Sequence, residues 1–292
     1  MESIKLKSRA KINLSIDVVG KREDNYNLVQ MIMQSIDLFD IIELKELVEN
    51  KIIVKSNSGD IPLDGDNIVF KAASLIKDKY KIDKGMEIFI TKNIPIAAGL
   101  AGGSSNAAAV LVGLNELWNL NLTETELQEL GLKLGADVPF CISGRPALAE
   151  NIGERLTYIN GLPKNTNIVV CKPNIFVSTK EVYENLNMSD VKTRPDTSCL
   201  IERLGEGDLV SVCNDMVNVL ETVTSKKYPE IKEIEDIMRE DAIGTMMSGS
   251  GPTVFGIFNN EVDARKCSIK LKEQYNQVFV TTNSDKGVEV IV

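Results

Sequence analysis

The sequence predicts an α+β fold, with helices packed on a largely antiparallel sheet. Three observations lead there. Strand-like and helix-like stretches alternate along the chain, and one glycine-rich loop opens an Ala/Leu-rich helix. The 292 residues, 43% hydrophobic and 26% charged, have the composition of a globular protein with a sizeable core.

In chain order, Ile12, Leu14, Ile16 and Val18 alternate with Asn13, Ser15 and Asp17, the period of a half-buried strand. Residues 52–54 and 86–90 read as further strands, with a helix over 67–79 between them. A helix over 104–118 follows the glycine loop, and Thr123 with Glu126 makes a capping box for the next one. Residues 168–171 predict a strand, and 179–185 and 229–239 predict helices. The chain closes with a strand over 253–258, a helix over 262–275 and strands over 278–281 and 288–292. A domain seam is expected within 152–165, and there is no repeat or low-complexity linker.

Charge and composition exclude several function classes. The net charge of −9 argues against a general nucleic-acid or anionic-membrane surface, so polyphosphate donors must be concentrated locally. Histidine is absent, which removes Ser-His-Asp triads and His metal sites. Any proton transfer must use Asp, Glu, Lys, Tyr or Cys. Five scattered cysteines, none in CxxC spacing, read as reduced thiols of a cytoplasmic protein. The start, MESIKLKSRAKINL, has no apolar signal core, and no apolar run approaches the ~20 residues of a membrane helix.

The segment KNIPIAAGLAGGSSNAAAVLVGLNELW, residues 92–118, is the most informative. Its glycines allow backbone close to a ligand, and a helix beginning near Ser104 or Ser105 turns unpaired N–H groups toward it. With the helix dipole this makes an anion cradle, although it lacks the Lys of GxxxxGK[ST]. A tightly packed Gly/Ala turn is the alternative. Three other segments carry possible chemistry. SRAKINLSIDVVGKREDNY sets Lys11 and Asn13 on one face of the first strand; taken alone, a solvated polar face is the simpler reading. GADVPF holds Asp137 between a helix end at Gly135 and a break at Pro139, as a turn residue would be. MSGSGPTVFG is a second backbone-rich loop, or an ordinary glycine turn.

Together and in this order, AKINLSIDVVGKREDNY, PIAAGLAGGSSNAAAVLVGLN, LGADVPFCISG, VSTKEVY, NVLE and MSGSGPTVFG resemble the GHMP kinases over nearly the whole length. AKINL with GADVPF narrows the resemblance to the branch whose substrate is a cytidine-diphosphate-linked methylerythritol. It implies an N-terminal ATP-binding domain of ribosomal-protein-S5-like fold over 1–155, and a ferredoxin-like C-terminal domain over 156–292. The active site would lie between them. ATP with Mg²⁺ would be the cofactor and a small molecule the substrate. No nucleic acid or membrane is expected as a partner, and the chain would be a monomer or homodimer.

By resemblance, Asp137 is the base that takes the proton from the attacking hydroxyl. Lys11 beside it keeps the carboxylate ionised and steadies the incoming phosphoryl group. Asn13 would bond the methylerythritol end, and Thr179 belongs to the same substrate set. Asn67, Ile68, Lys92 and Pro95 would hold the adenine side of ATP. Gly99, Leu100, Ala101, Gly102, Gly103, Ser104 and Ser105 would wrap the phosphates, with no protein metal ligands assigned. Tyr26 and Tyr183 match two aromatic positions that sandwich the cytosine.

The sequence departs from the family at the base-reading position. The usual Asp-Gly-Tyr-His is here Asp24, Asn25, Tyr26 and Asn27, so Asn27 replaces a His that bonds the cytosine edge. An amide still carries a donor and an acceptor. The usual Pro-Ala-Lys is Arg9-Ala10-Lys11, and a common Gly is Asn151; neither change removes a catalytic group. Two further readings stand beside the kinase of a cytidine-linked polyol. One is another GHMP phosphotransferase, which the AKINL–GADVPF pairing opposes. The other is a non-catalytic nucleotide binder, opposed by retention of Lys11, Asp137 and the glycine loop.

Overall fold

Two long strands organise the molecule. A computed structural model describes residues 2–24 and 26–291; Met1, Asn25 of the first motif and Val292 of the expected last strand lie outside them. β1 (Ser3–Lys21) and β2 (Asn27–Leu47) pair antiparallel, with register shifts at Arg9/Lys11, Asn13/Ser15 and Val18/Gly20. Each bulge re-aims the side chains beside it. The chain continues through β3 (Ile52–Ser56), α1 (Ile68–Tyr80), β4 (Gly85–Thr91), α2 (Gly102–Leu117), α3 (Glu124–Leu132) and α4 (Val138–Ser143). Next come β5 (Ala147–Asn151), β6 (Arg155–Tyr158), β7 (Asn167–Lys172), α5 (Thr179–Asn185), a 3-10 turn over Met188–Asp190, α6 (Thr197–Glu206) and α7 (Leu209–Asp215). The last elements are β8 (Val217–Asn218), α8 (Glu221–Lys227), α9 (Glu230–Arg239), β9 (Gly244–Met247), β10 (Val254–Phe258), α10 (Glu261–Lys272), β11 (Gln277–Ser284) and β12 (Val288–Val290).

The main sheet path runs β12-β1-β2-β11-β7-β10-β9, with β4 and β5 also on β2. Its pairs are antiparallel, and the parallel exceptions are β3 with β4 and β8 with β1. The expected α+β class therefore holds. β11 bonds both β2 and β7, so it joins the two halves of the sheet.

β1 serves two cores. Leu6, Ile16 and Val18 pack with α1 and α2, whereas Ala10, Ile12 and Leu14 pack with Phe255, Ile257 and Leu200. The bulges let one strand change faces between them. α2 seats close to the sheet because its inner face is small. Ala107, Ala108 and Ala109 are buried, and a Cβ on Gly113 would lie 2.5 Å from Leu44 Cδ1.

Several boundaries differ from the sequence expectation. α2 starts at Gly102, two residues before Ser104, because Ala101 takes a left-handed φ of 56° and serves as N-cap. Pro139 is not a break. It sits in the first turn of α4, where a missing N–H costs nothing, and Asp137 occupies the N-cap position. The Thr123–Glu126 capping box forms as expected. No helix among the described residues is long and apolar enough to cross a membrane.

Candidate active site

Lys11 and Asp137 come from distant parts of the chain and meet at one wall of a cavity of about 1060 Å³. Lys11 Nζ lies 3.8 Å from Asp137 Oδ2 and donates to Asn13 Oδ1 at 2.7 Å. Asn13 in turn donates to Met31 Sδ at 3.3 Å. The simpler reading of these residues as a solvated face fails, because Lys11 is only 5% exposed and Asn13 is 0% exposed. The Lys11 N–H donates to Leu100 O at 3.1 Å, so β1 is sewn directly to the glycine loop. Asp137 makes no side-chain cap bond to α4, which leaves its carboxylate available to the cavity.

The glycine loop forms a second wall. Pro95, Gly99, Ala101, Gly102, Gly103 and Ser104 line the cavity, with Asn67, Ile68 and Lys92 beside them. Leu100 and Ser105 do not. Leu100 is 1% exposed in the apolar core, and Ser105 is 0% exposed with its hydroxyl on Arg9 O. Their side chains anchor the loop from behind. Asn67 caps α1: its Oδ1 accepts from Val69 N and its amide donates to Pro62 O. One amide hydrogen and one lone pair remain for a ligand.

The two glycine loops touch each other. Gly99, at φ +73°, carries no Cβ because one would fall 2.3 Å from Ser248 O. Ser248 Oγ donates to Gly99 O at 3.1 Å. Behind this contact, Asn218 Nδ2 donates to both Met247 O and Gly249 O at 2.8 Å, and Met247 N donates to Glu221 Oε2 at 3.1 Å. The NVLE segment thus braces the second loop, which braces the first. Sequence reading singled out both motifs without a role for either.

Two tyrosines also line the cavity. Tyr26 and Asn27 reach it from the β1–β2 turn, and Thr179 and Tyr183 from α5. Tyr26 is 61% exposed, with the Arg22 guanidinium 5.9 Å from its ring centre. Tyr183 is half-buried; burial, with a smaller contribution from the Asp137 carboxylate, pushes its hydroxyl pKa up to about 12. It therefore stays a neutral donor at physiological pH. Thr179 Oγ1 and Ser250 Oγ bond at 2.8 Å, joining α5 to the second glycine loop. Chemically, the cavity offers a carboxylate, an adjacent ammonium, a backbone-lined loop and two phenol rings.

Comparison with known proteins shows the family. The family model described as GHMP kinases N terminal domain matches residues 67–145, and GHMP kinases C terminal matches residues 200–277. A 4-diphosphocytidyl-2-C-methyl-D-erythritol kinase of Clostridioides difficile (strain 630) is 62% identical, across 99% of this chain and 98% of its own length. Another from Alkaliphilus oremlandii (strain OhILAs) is 52% identical across 99% and 100%. A crystal structure of 4-(cytidine 5'-diphospho)-2C-methyl-D-erythritol kinase superposes with a TM-score of 0.82 at 30% identity, covering 96% of this chain and 99% of that one. A homoserine kinase of Cytophaga hutchinsonii ATCC 33406 gives a TM-score of 0.79 at 20% identity, covering 100% and 98%, a likeness of fold alone.

Proposed function

We propose that this chain, which belongs to the GHMP kinases, transfers the γ-phosphoryl group of ATP to the 2-hydroxyl of 4-diphosphocytidyl-2-C-methyl-D-erythritol. The observation that carries the proposal is the Lys11–Asp137 pair at the wall of one cavity that also holds the glycine loop and both tyrosines. The reaction asks the protein mainly for position and charge. The substrate hydroxyl oxygen attacks the γ-phosphorus, the bond to the bridging oxygen breaks, and ADP leaves. The hydroxyl proton passes to Asp137. Lys11, held by Asn13 and 3.8 Å from that carboxylate, would face the charge on the transferring group.

The remaining roles are those the family resemblance implies for residues that line the cavity. Backbone of 99–104 would receive the phosphates, beside Ile94 and Lys92, which a side chain on Gly102 would meet. Asn67, Ile68, Lys92 and Pro95 would flank the adenine. Tyr26 and Tyr183 would stack on the cytosine, with Asn27 at its edge and Thr179 nearby. Mg²⁺, bound with the nucleotide, would neutralise phosphate charge. Among the described residues no group of three Cys, Asp or Glu is placed to hold a metal, so phosphate oxygens and water would supply most of its ligands. An ATP-binding half, 1–155, and a second half, 156–292, would act together in the cytoplasm, as a monomer or homodimer. The test is ATP consumption by the purified protein across candidate alcohols, with each phosphorylated product identified. Turnover with homoserine or mevalonate, and none with the cytidine-linked polyol, would overturn the substrate.

A further inference from the structure

Asp40 lies outside the cavity yet holds together its nucleotide side. It sits in β2, is 0% exposed, and has four donors. Oδ1 accepts the backbone N–H of Asn93 at 2.7 Å and of Ile94 at 2.8 Å. Oδ2 accepts Asn106 Nδ2 at 2.8 Å and pairs with the Lys92 ammonium. The Asn106 amide also donates to Ser8 Oγ at 2.8 Å, and its Oδ1 faces Lys92 Nζ at 3.4 Å. One carboxylate therefore ties β1, β2, α2 and the turn that leads into the glycine loop.

Lys92 is the link to the ligand. It lines the cavity, but its side chain is only 7% exposed and its ammonium is held by Asp40 and Asn106. A Cβ on Gly102 would stand 3.3 Å from Lys92 Nζ and 3.0 Å from Ile94 Cγ2, so this cation and this turn abut the first residue of α2. A buried ammonium keeps its charge and its place only while a partner offsets the loss of water. We propose that Asp40 is a positioning residue for the nucleotide: it fixes the Lys92 ammonium and the 92–94 backbone against the start of α2. The proposal rests on the kinase reading given above.

Asp40→Asn isolates the electrostatic part. The amide oxygen can still accept from Asn93 and Ile94, while its NH₂ faces two donors, Lys92 and Asn106. ATP affinity, measured by calorimetry on the folded variant, should fall about tenfold or more, as for residues coupled in one network. The KM for the alcohol substrate and kcat at saturating ATP should stay near wild type. A role confined to stability would lower Tm and leave the ATP affinity of the folded fraction unchanged, and that result overturns the proposal. Equal loss in both KM values overturns it too. If Asp40→Asn does not fold, Lys92→Met and Lys92→Met/Asp40→Asn are compared. With the cation gone, removing Asp40 should change ATP affinity by less than about threefold, and a further tenfold loss would show action by another route. Wild-type protein without ATP affinity would instead contradict the kinase reading itself.

Discussion

Asn27 is the residue at which base selection should be decided. Cytosine offers an amino donor and a ring-nitrogen acceptor where uracil reverses the pattern, and an amide can turn to suit either. Stacking by the Tyr26 and Tyr183 rings, as proposed, would be blind to that edge, so it would contribute affinity more than choice. The expected outcome is acceptance of the cytidine substrate with weak discrimination against its uridine analogue. Asn27→His should sharpen that discrimination. Comparing kcat/KM for both analogues in the two proteins checks it; strong cytidine selectivity in wild type would show that another group reads the base.

Other residues of the site differ in how far the sequence reveals them. Lys11, Asn13 and Asp137 stand in recognisable motifs, and the structure brings them together. Asp40 has no such signal. Its four partners lie 52 to 66 positions away along the chain, so only the folded sheet shows that they share one carboxylate. Asn218 and Glu221 were visible as a motif, but their work on the second loop depends on partners 26 to 31 positions away.

At the scale of elements, α2 and its loop should respond to added bulk. Gly102 is helical and does not use positive φ, so conformational freedom is not what it supplies. It supplies space: a larger side chain would press on Ile94 and Lys92, which flank the proposed phosphate cradle. Gly102→Val is expected to weaken ATP binding at least about tenfold, a little over 1 kcal/mol, within the usual cost of overpacking. Unchanged affinity in a folded variant, measured by calorimetry, would contradict the cradle.

The same scale shows what periodicity can and cannot reveal. Helices with clear caps, such as α3 and α5, were legible. β2, the longest strand, was not anticipated. Both of its faces are buried over Met31–Ile36, which erases the alternation that marks a half-buried strand. α4 was hidden because a proline in the first turn looks like a stop. β12 is short, and its place depends on long-range contacts. Arg9 bonds Glu289 at 2.7 Å, and Gly287 N donates to Ser143 O at 3.1 Å. The C-terminal end of the chain thus backs the helix that presents Asp137.

For the whole molecule, stability should depend on pH through two groups of opposite sign. Glu235 is buried and faces Glu221. Burial and that neighbouring carboxylate raise its pKa from 4.5 to about 8, while Arg239 pulls the other way and loses. A folded acid that keeps its proton longer than the unfolded chain contributes stability that is full below pH 4.5 and lost as pH rises to 8. Glu289 works in reverse. Lys286 and Arg9 lower it to about 2, so its contribution is present above pH 4.5 and lost as pH falls toward 2. Thermal unfolding across pH should show Glu235→Gln gaining on wild type between pH 5 and 8, values bracketed by these two states. A difference that does not change with pH would refute the raised pKa of Glu235.

The central claim is that Asp137, supported by Lys11, takes the proton during phosphoryl transfer. Steady-state turnover of 4-diphosphocytidyl-2-C-methyl-D-erythritol with ATP should therefore be compared in wild type and Asp137→Asn, with ATP affinity measured on both. The expected result is a phosphorylated product from wild type and a kcat lower by ~10²–10⁴ in the variant, the usual cost of losing a positioned base, with ATP binding retained. A variant that keeps wild-type kcat would contradict the claim.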